Sequence, residues 1–348
     1  MVQARRSSKK TRVTSLDIAH RAGVSQATVS RVLRGSPLVN ADTRCRVEEA
    51  VRELNYKVDR HASSLRTQRA GTLALLLFED PTADDSHINP FFLAMLGSIT
   101  RACARHGHDL LVSFQQLSDD WHADYDDSMK ADGLILLGYG DYLAYESTLA
   151  QLVAQGTHFV RWGHVWPDQP GVTIGCDNAN GGRLAGRHLL QLGRRRIAFL
   201  GNASDGFPEF QARHRGCAQA LAEAGLGLAA ELQVNADSTE QAGYEAARAL
   251  LAHGRSFDAV FAASDLIAIG AMRALQDAGL RVPADVAVVG FDGTPMARFC
   301  NPPLTTVVQD TTTAGELLVQ ALLAQVRGED AVSLMLQPTL DVRASSIA

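Results

Sequence analysis

Two spacings of hydrophobic residues divide this chain. Over residues 13–57 the apolar positions recur every three or four residues, as on helices that bury one face. From Gly71 onward, short apolar runs alternate with longer amphipathic ones. The first zone predicts three helices. Thr14 opens the first, and Asp17 three residues on completes a capping box. Leu16, Ile18, Ala19 and Ala22 form its inner side. Gly23 stands where a helix end needs a left-handed residue, and Val24 plugs the angle to the next helix. Ser25 caps that second helix. It turns Val29, Val32 and Leu33 inward and leaves Gln26, Ala27, Ser30, Arg31 and Arg34 facing out. A third helix starts at Asn40, carries Val47, Ala50, Val51 and Leu54, and ends with Tyr56 beneath all three.

The second zone predicts strands at T-L-A-L-L-L-F, D-L-L-V-S-F, G-L-I-L-L and H-F-V-R-W, alternating with helices over 90–106, 119–130 and 142–155. Asp177-Asn178 opens a further helix. A second series follows: R-I-A-F-L-G, L-Q-V, A-V-F-A-A and V-A-V-V-G, with helices over 208–224, 239–253 and 264–279. Repeated strand–helix–strand units imply parallel sheets covered by helices. Two series imply two similar subdomains. The closing stretch, T-T-V-V-Q-D, a helix over 311–327 and L-M-L-Q-P-T-L-D-V-R, crosses back between them.

The 348 residues exceed what one compact core holds, which agrees with this division. Hydrophobic content of 46 % and charged content of 20 % are those of a soluble globular chain. No apolar run approaches the roughly 18 residues of a membrane span. The basic N-terminus has no apolar stretch behind it, so it does not read as a secretory signal, and a cytoplasmic location is expected. Cys45, Cys103, Cys176, Cys217 and Cys300 are odd in number and widely spaced, which suits buried reduced thiols rather than zinc or disulfides. Net charge is −5 but unevenly held: residues 1–69 carry 15 Lys+Arg against 6 Asp+Glu, while the remainder carries 18 against 32. A basic head on an acidic body suits a nucleic-acid module joined to something else.

The outward face of the second helix is polar and basic, with a short amide near its start, as a major-groove reader requires. The competing reading is an ordinary antiparallel helix pair. An enzyme is disfavoured: no G-x-G-x-x-G follows the first strand, there is no P-loop and no G-x-S-x-G, and Gly138-Tyr139-Gly140 is a lone G-x-G. A free-standing periplasmic sugar-binding protein would explain residues 71–348 but not the three helices.

The succession V-T-x-x-D-I-A-x-x-A-G-V-S-x-x-T-V-S-R-V-L, a third helix, L-N-Y and A-x-S-L-R-T resembles the LacI/GalR family of bacterial transcription regulators. The resemblance covers nearly the whole chain from Val13. It implies an all-α helix–turn–helix head joined to an α/β, periplasmic-binding-protein-like effector domain of two doubly wound parallel-sheet subdomains. The domains are then a flexible basic tail (1–12), the head (13–57), a hinge (58–70) and an effector-binding and dimerisation domain (71–348). It assigns base reading to Gln26, Ala27 and Arg31. Ser25, Thr28 and Ser30 serve as cap and phosphate contacts, and Thr14, Asn40 and Tyr56 complete the DNA-contacting set. In the family the hinge becomes a short helix on the operator, and a leucine wedges into a base step. Ala62, Ser64 and Leu65 match that pattern, whereas Val58, Asp59 and Ser63 replace a usual proline, asparagine and arginine. A plain exposed linker is the other reading.

Ligands in doubly wound sheets sit outside the carboxyl ends of strands. Phe91 and Phe92, in N-P-F-F, can wall a sugar ring or purine, or serve as core. Trp162 can stack on a sugar face or pack inward. Arg213, in A-R-H-R-G, matches the family arginine that reaches effector oxygens; a surface salt bridge is the alternative. Asp265 and Asp292 match family acids at strand ends, and Asp265 can instead cap its helix. A carboxylate such as Asp292 takes two hydroxyls of a polyol at once. The whole reading is a cytoplasmic homodimeric regulator, most readily a repressor of a carbohydrate-use operon. It binds a near-palindromic double-stranded operator and answers to a sugar-like small molecule, with a nucleobase as second choice. No cofactor, metal or membrane partner is expected. The absence of a C-terminal leucine-heptad tail favours a dimer.

Overall fold

The computed structural model describes residues 13–33, 35–56, 69–78, 88–114, 120–138, 142–167, 169–254 and 256–347, with 142–144 as backbone only. The expected basic tail and the hinge positions 58–68, including Ala62, Ser64 and Leu65, lie outside the described residues, as does Arg34. The chain divides into two units, residues 1–69 and 70–348.

In the first unit, α1 (Ser15–Ala22), α2 (Gln26–Leu33) and α3 (Ala41–Glu53) close around Ile18, Ala19, Ala22, Val29, Val32, Val47 and Ala50. Val24 and Tyr56 pack partly buried against this cluster. Arg21 and Glu53 tie α1 to α3 at 2.6 Å. Two expectations need correction. Leu16 is 63 % exposed and Leu33 36 % exposed. Successive helical residues turn by about 100°, so Leu16 stands some 200° from Ile18 and cannot share its stripe. Leu33 is the last residue of α2 and lies at the rim of a small core.

The second unit holds two six-stranded sheets. The strands of the first are β1 (Thr72–Phe78), β2 (Asp109–Phe114), β3 (Leu134–Gly138), β4 (Phe159–Trp162), β5 (Val172–Cys176) and β11 (Leu334–Leu336), in the order β11-β5-β4-β3-β1-β2. Those of the second are β6 (Ile197–Leu200), β7 (Gln233–Val234), β8 (Ala259–Ala262), β9 (Ala287–Asp292), β10 (Thr305–Val308) and β12 (Thr339–Asp341), in the order β12-β10-β9-β8-β6-β7. The β10–β12 pair is antiparallel and the other described pairs are parallel. Each sheet therefore reverses its strand order once, between β1 and β3 and between β6 and β8. Those switch points open the crevice where ligands bind in such sheets.

Helices α4 (Pro90–Arg105), α5 (Tyr142–Gln155) and α10 (Thr311–Val326) belong to the first lobe, and α6 (Asn178–Gln191), α7 (Pro208–Glu223), α8 (Glu240–Ala252) and α9 (Asp265–Asp277) to the second. The chain passes between lobes after β5, after β10 and after β11. Two features differ from the sequence reading. A helix over 119–130 is replaced by a π-helical turn, His122–Asp127. This acidic stretch has one strong anchor, Trp121, which is buried with Ala74, Leu76, Leu134 and Leu136. Strand β5, V-T-I-G-C, has too short and mixed an apolar run to stand out by periodicity.

The crossing of α6 and α7 places the cleft residues. A Cβ at Gly216 would meet the Ala179 carbonyl oxygen at 1.9 Å, and one at Gly182 the Arg213 carbonyl oxygen at 2.0 Å. Only glycine lets these backbones touch, and their contact fixes where Arg213 leaves α7.

Candidate functional site

The head presents one polar face. Thr14 Oγ1 accepts from Asp17 N, and the Asp17 carboxylate accepts from Thr14 N at 2.7 Å. These bonds to Thr14 hold the Asp17 carboxyl below its ordinary range. Gly23 adopts φ +64°, and Val24 N reaches back to Ala19 O. Ser25 Oγ then accepts from Thr28 N at 3.2 Å and pairs with Thr28 Oγ1 at 2.9 Å, so α2 begins with a satisfied cap. Gln26, Ala27 and Arg31 are exposed along α2, with Thr28 and Ser30 half-buried beside them. Gln26 Nε2 donates to Ser15 Oγ at 2.8 Å. Asn40 caps α3 through Thr43 N. Thr14 and Asn40 thus cap α1 and α3, and Tyr56 lies half-buried against the head's core.

In the cleft, the structure sorts the candidates into pairs. The Phe91 and Trp162 rings lie 6.0 Å apart, with Phe92 edge-on to Phe91 at 5.3 Å. All three are buried, Trp162 being 6 % exposed. Arg213 and Asp292 meet from α7 and the end of β9, Nη1 to Oδ1 at 3.5 Å, with both side chains 1 % exposed. Arg213 Nε also donates to Asn178 Oδ1 at 2.9 Å, and Nη1 to the Ala263 carbonyl. Its guanidinium lies 3.8 Å from the Phe291 ring centroid. Asp292 accepts from Gln309 Nε2 at 2.8 Å, and its φ of +114° is a conformation that a side chain resists. Such strain persists where surrounding structure over-determines it, and it clusters at binding sites.

Asp265 stands apart. It is fully buried, and its carboxylate accepts from Thr294 N at 2.7 Å, Thr294 Oγ1 at 2.9 Å and Thr306 Oγ1 at 2.6 Å. Burial pushes its pKa up against the lowering effect of those bonds. Ser264, not Asp265, caps α9. The sequence reading also missed two links across the cleft. Asn89 Nδ2 donates to Ser238 Oγ at 3.2 Å, and Ser238 Oγ to Ser264 Oγ at 2.8 Å. His164 N donates to Glu209 Oε1 at 2.8 Å. The Asn-Pro pair before α4 signalled a cap, which Asn89 provides to Phe91 N; nothing in one chain's sequence signals its partner Ser238.

Residues 14–59 match the model described as bacterial regulatory proteins, lacI family, and residues 187–346 match a periplasmic binding protein-like domain. The HTH-type transcriptional regulator CelR of Thermobifida fusca is 33 % identical over 97 % of this chain and 99 % of its own length. The chain belongs to the LacI family. It is a helix–turn–helix transcription regulator with a periplasmic-binding-protein-like second domain. Among solved structures, a lac repressor dimer bound to operator and the anti-inducer ONPF matches with TM-score 0.81 and 28 % identity over 97 % of this chain and all of that one. A CelR–cellobiose complex matches with TM-score 0.72 and 31 % identity over 96 % of this chain and all of that one. As a LacI-family member, the chain pairs its basic head with the two-sheet domain that holds the cleft. The matched relatives are regulators rather than enzymes. Among the described residues, no helix is long and apolar enough to cross a membrane.

Proposed function

We propose that the chain is a cytoplasmic, homodimeric repressor whose hold on a near-palindromic operator is set by a sugar-like molecule in the cleft. The observation that carries this reading is the buried Arg213–Asp292 pair on a strained strand end. A carboxylate and a guanidinium fixed side by side offer acceptors and donors in the geometry that adjacent hydroxyls need. Phe91 and Trp162 supply an aromatic pair on the first lobe, and the cellobiose in the CelR complex puts β-glucosides first in a ligand panel. Asp265 is assigned to the scaffold, since its oxygens already hold Thr294 and Thr306. On the DNA side Gln26, Ala27 and Arg31 read bases, Ser25, Thr28 and Ser30 flank the phosphates, and Leu65 with Ala62 forms the minor-groove wedge.

The two functions are joined by linkage. An effector shifts operator affinity only through its unequal affinity for the two arrangements of the lobes. Operator affinity measured with and without each panel sugar tests the reading. Asp292→Asn should keep operator binding and lose response, because a charged hydrogen bond to a ligand is worth about 1.5–3 kcal/mol. A normal response in that variant removes Asp292 from the site. Loss of operator binding without effector makes it a residue of the fold.

A further inference from the structure

One base-reading side chain is held in place before DNA arrives. Gln26 opens α2, and its exposed amide donates from Nε2 to Ser15 Oγ at 2.8 Å. Ser15 lies eleven positions earlier, as the half-buried first residue of α1. That acceptor stands on a rigid frame. The Thr14–Asp17 capping box locks the turn around it, and the left-handed Gly23 fixes the angle to α2. Nor is the helix start open to Gln26, since Ser25 Oγ already serves Thr28 N and Thr28 Oγ1.

A glutamine amide has two N–H donors and one carbonyl oxygen. Pairing with adenine uses one N–H, toward N7, and the oxygen, toward the N6 amino group. The last torsion of a free glutamine is broad and two-fold. Half a turn exchanges donor for acceptor, and other settings send a donor to guanine O6 or N7, or to thymine O4. In the bond observed, Ser15 Oγ accepts one N–H; this fixes the plane of the amide and leaves the second N–H and the oxygen, the complement of adenine, while a hydroxyl, being donor and acceptor, also accommodates the half-turned amide. We propose that Ser15 is a positioning residue for base recognition: it confines the Gln26 amide to one plane, with a donor and an acceptor presented together as adenine requires, and so narrows the operator sequence. This rests on Gln26 reading a base, as proposed above.

Binding-site selection on the full chain tests it, with Ser15→Ala, Ser15→Thr, Gln26→Ala and the Ser15→Ala/Gln26→Ala double variant. Alanine suits the first position of a helix, so the head keeps its fold, and the threonine variant keeps the hydroxyl. Ser15→Ala should cut the preference for adenine at one position per half-site by about three- to tenfold, the worth of one neutral hydrogen bond. Affinity for random DNA, its salt dependence and the melting temperature should stay as in the parent. Ser15→Thr should restore the preference, and Ser15→Ala should change nothing further once Gln26 is alanine. Equal weakening on all sequences would make Ser15 a phosphate contact and overturn the proposal. So would an unchanged preference in Ser15→Ala when Gln26→Ala loses it. If Gln26→Ala itself keeps the parent's preference, the base-reading assignment has failed, and the role of Ser15 with it.

Discussion

At the scale of single residues, Arg213 and Asp292 are unequal partners. Removing the arginine strands more than one group. Asp292 would be left without its cation, and Asn178 Oδ1 and the Ala263 carbonyl would each lose a donor. Breaking one side of a buried ion pair costs about 3–5 kcal/mol. Arg213→Ala should therefore lower stability by that order in urea denaturation, while Asp292→Asn, which keeps an oxygen for Gln309, should cost clearly less. A negligible loss in Arg213→Ala would show that these partners do not depend on the arginine. The sequence marked both residues through the motifs around them, and it marked Asp265 equally well. What separates Asp265 is its three bonds to Thr294 and Thr306, and no spacing rule finds partners 29 and 41 positions away. The thiols were read in part: Cys103, Cys176 and Cys217 are buried as expected, Cys300 is half-buried and Cys45 is exposed. Burial pushes Cys176 and Cys217 up to about 12, so both stay protonated and inert at neutral pH.

At the scale of elements, the capping box and the α6–α7 crossing make opposite demands. Thr14→Ala removes a cap that the side chain of Asp17 also leans on, and should cost about 0.5–2 kcal/mol, read as a lower melting temperature. Gly216→Ala adds a single methyl at a place 1.9 Å from a carbonyl oxygen. It should cost about 1–3 kcal/mol or more, because backbone rather than side chain must yield. A neutral result would mean that α7 slides freely on α6, and that Arg213 is not fixed by their contact. Helices with long amphipathic runs and strands of four or more apolar residues were legible. Strand β5 and the turn at His122–Asp127 were not, because one is short and mixed and the other depends on the single anchor Trp121. Leu16 misled for a simpler reason: composition placed it among core residues, while helical geometry turns it outward.

At the scale of the whole molecule, burial makes stability depend on pH. It holds His164, His188 and His214 below the ordinary imidazole range of 6.5. In the unfolded chain these rings take protons near 6.5, and in the folded chain only at lower pH. Between those values the unfolded state binds more protons, so stability falls as the medium is acidified, by at most about 1.4 kcal/mol per pH unit for each ring. Asp265 has the reverse sign, since its raised pKa makes the folded state the better proton acceptor. With three rings against one carboxyl, the melting temperature should drop between pH 7.5 and 5.5, and His188→Gln should drop less than the parent. A flat profile would show that the rings protonate without cost.

The three passages of the chain between the lobes also order its synthesis. When Asp310 has been made, the second lobe has every strand but β12. The first lobe, begun more than two hundred residues earlier, still lacks α10, which covers α4 and β4, and its edge strand β11. Domains ordinarily complete themselves from the N-terminus as they emerge. Here the lobe begun first waits for α10 and β11 until strands β6 to β10 of the other lobe have been made, and its apolar face stays uncovered meanwhile; β12 then completes the second lobe. Nascent chains halted at Asp310 should accordingly give protease fragments of the second lobe before any of the first.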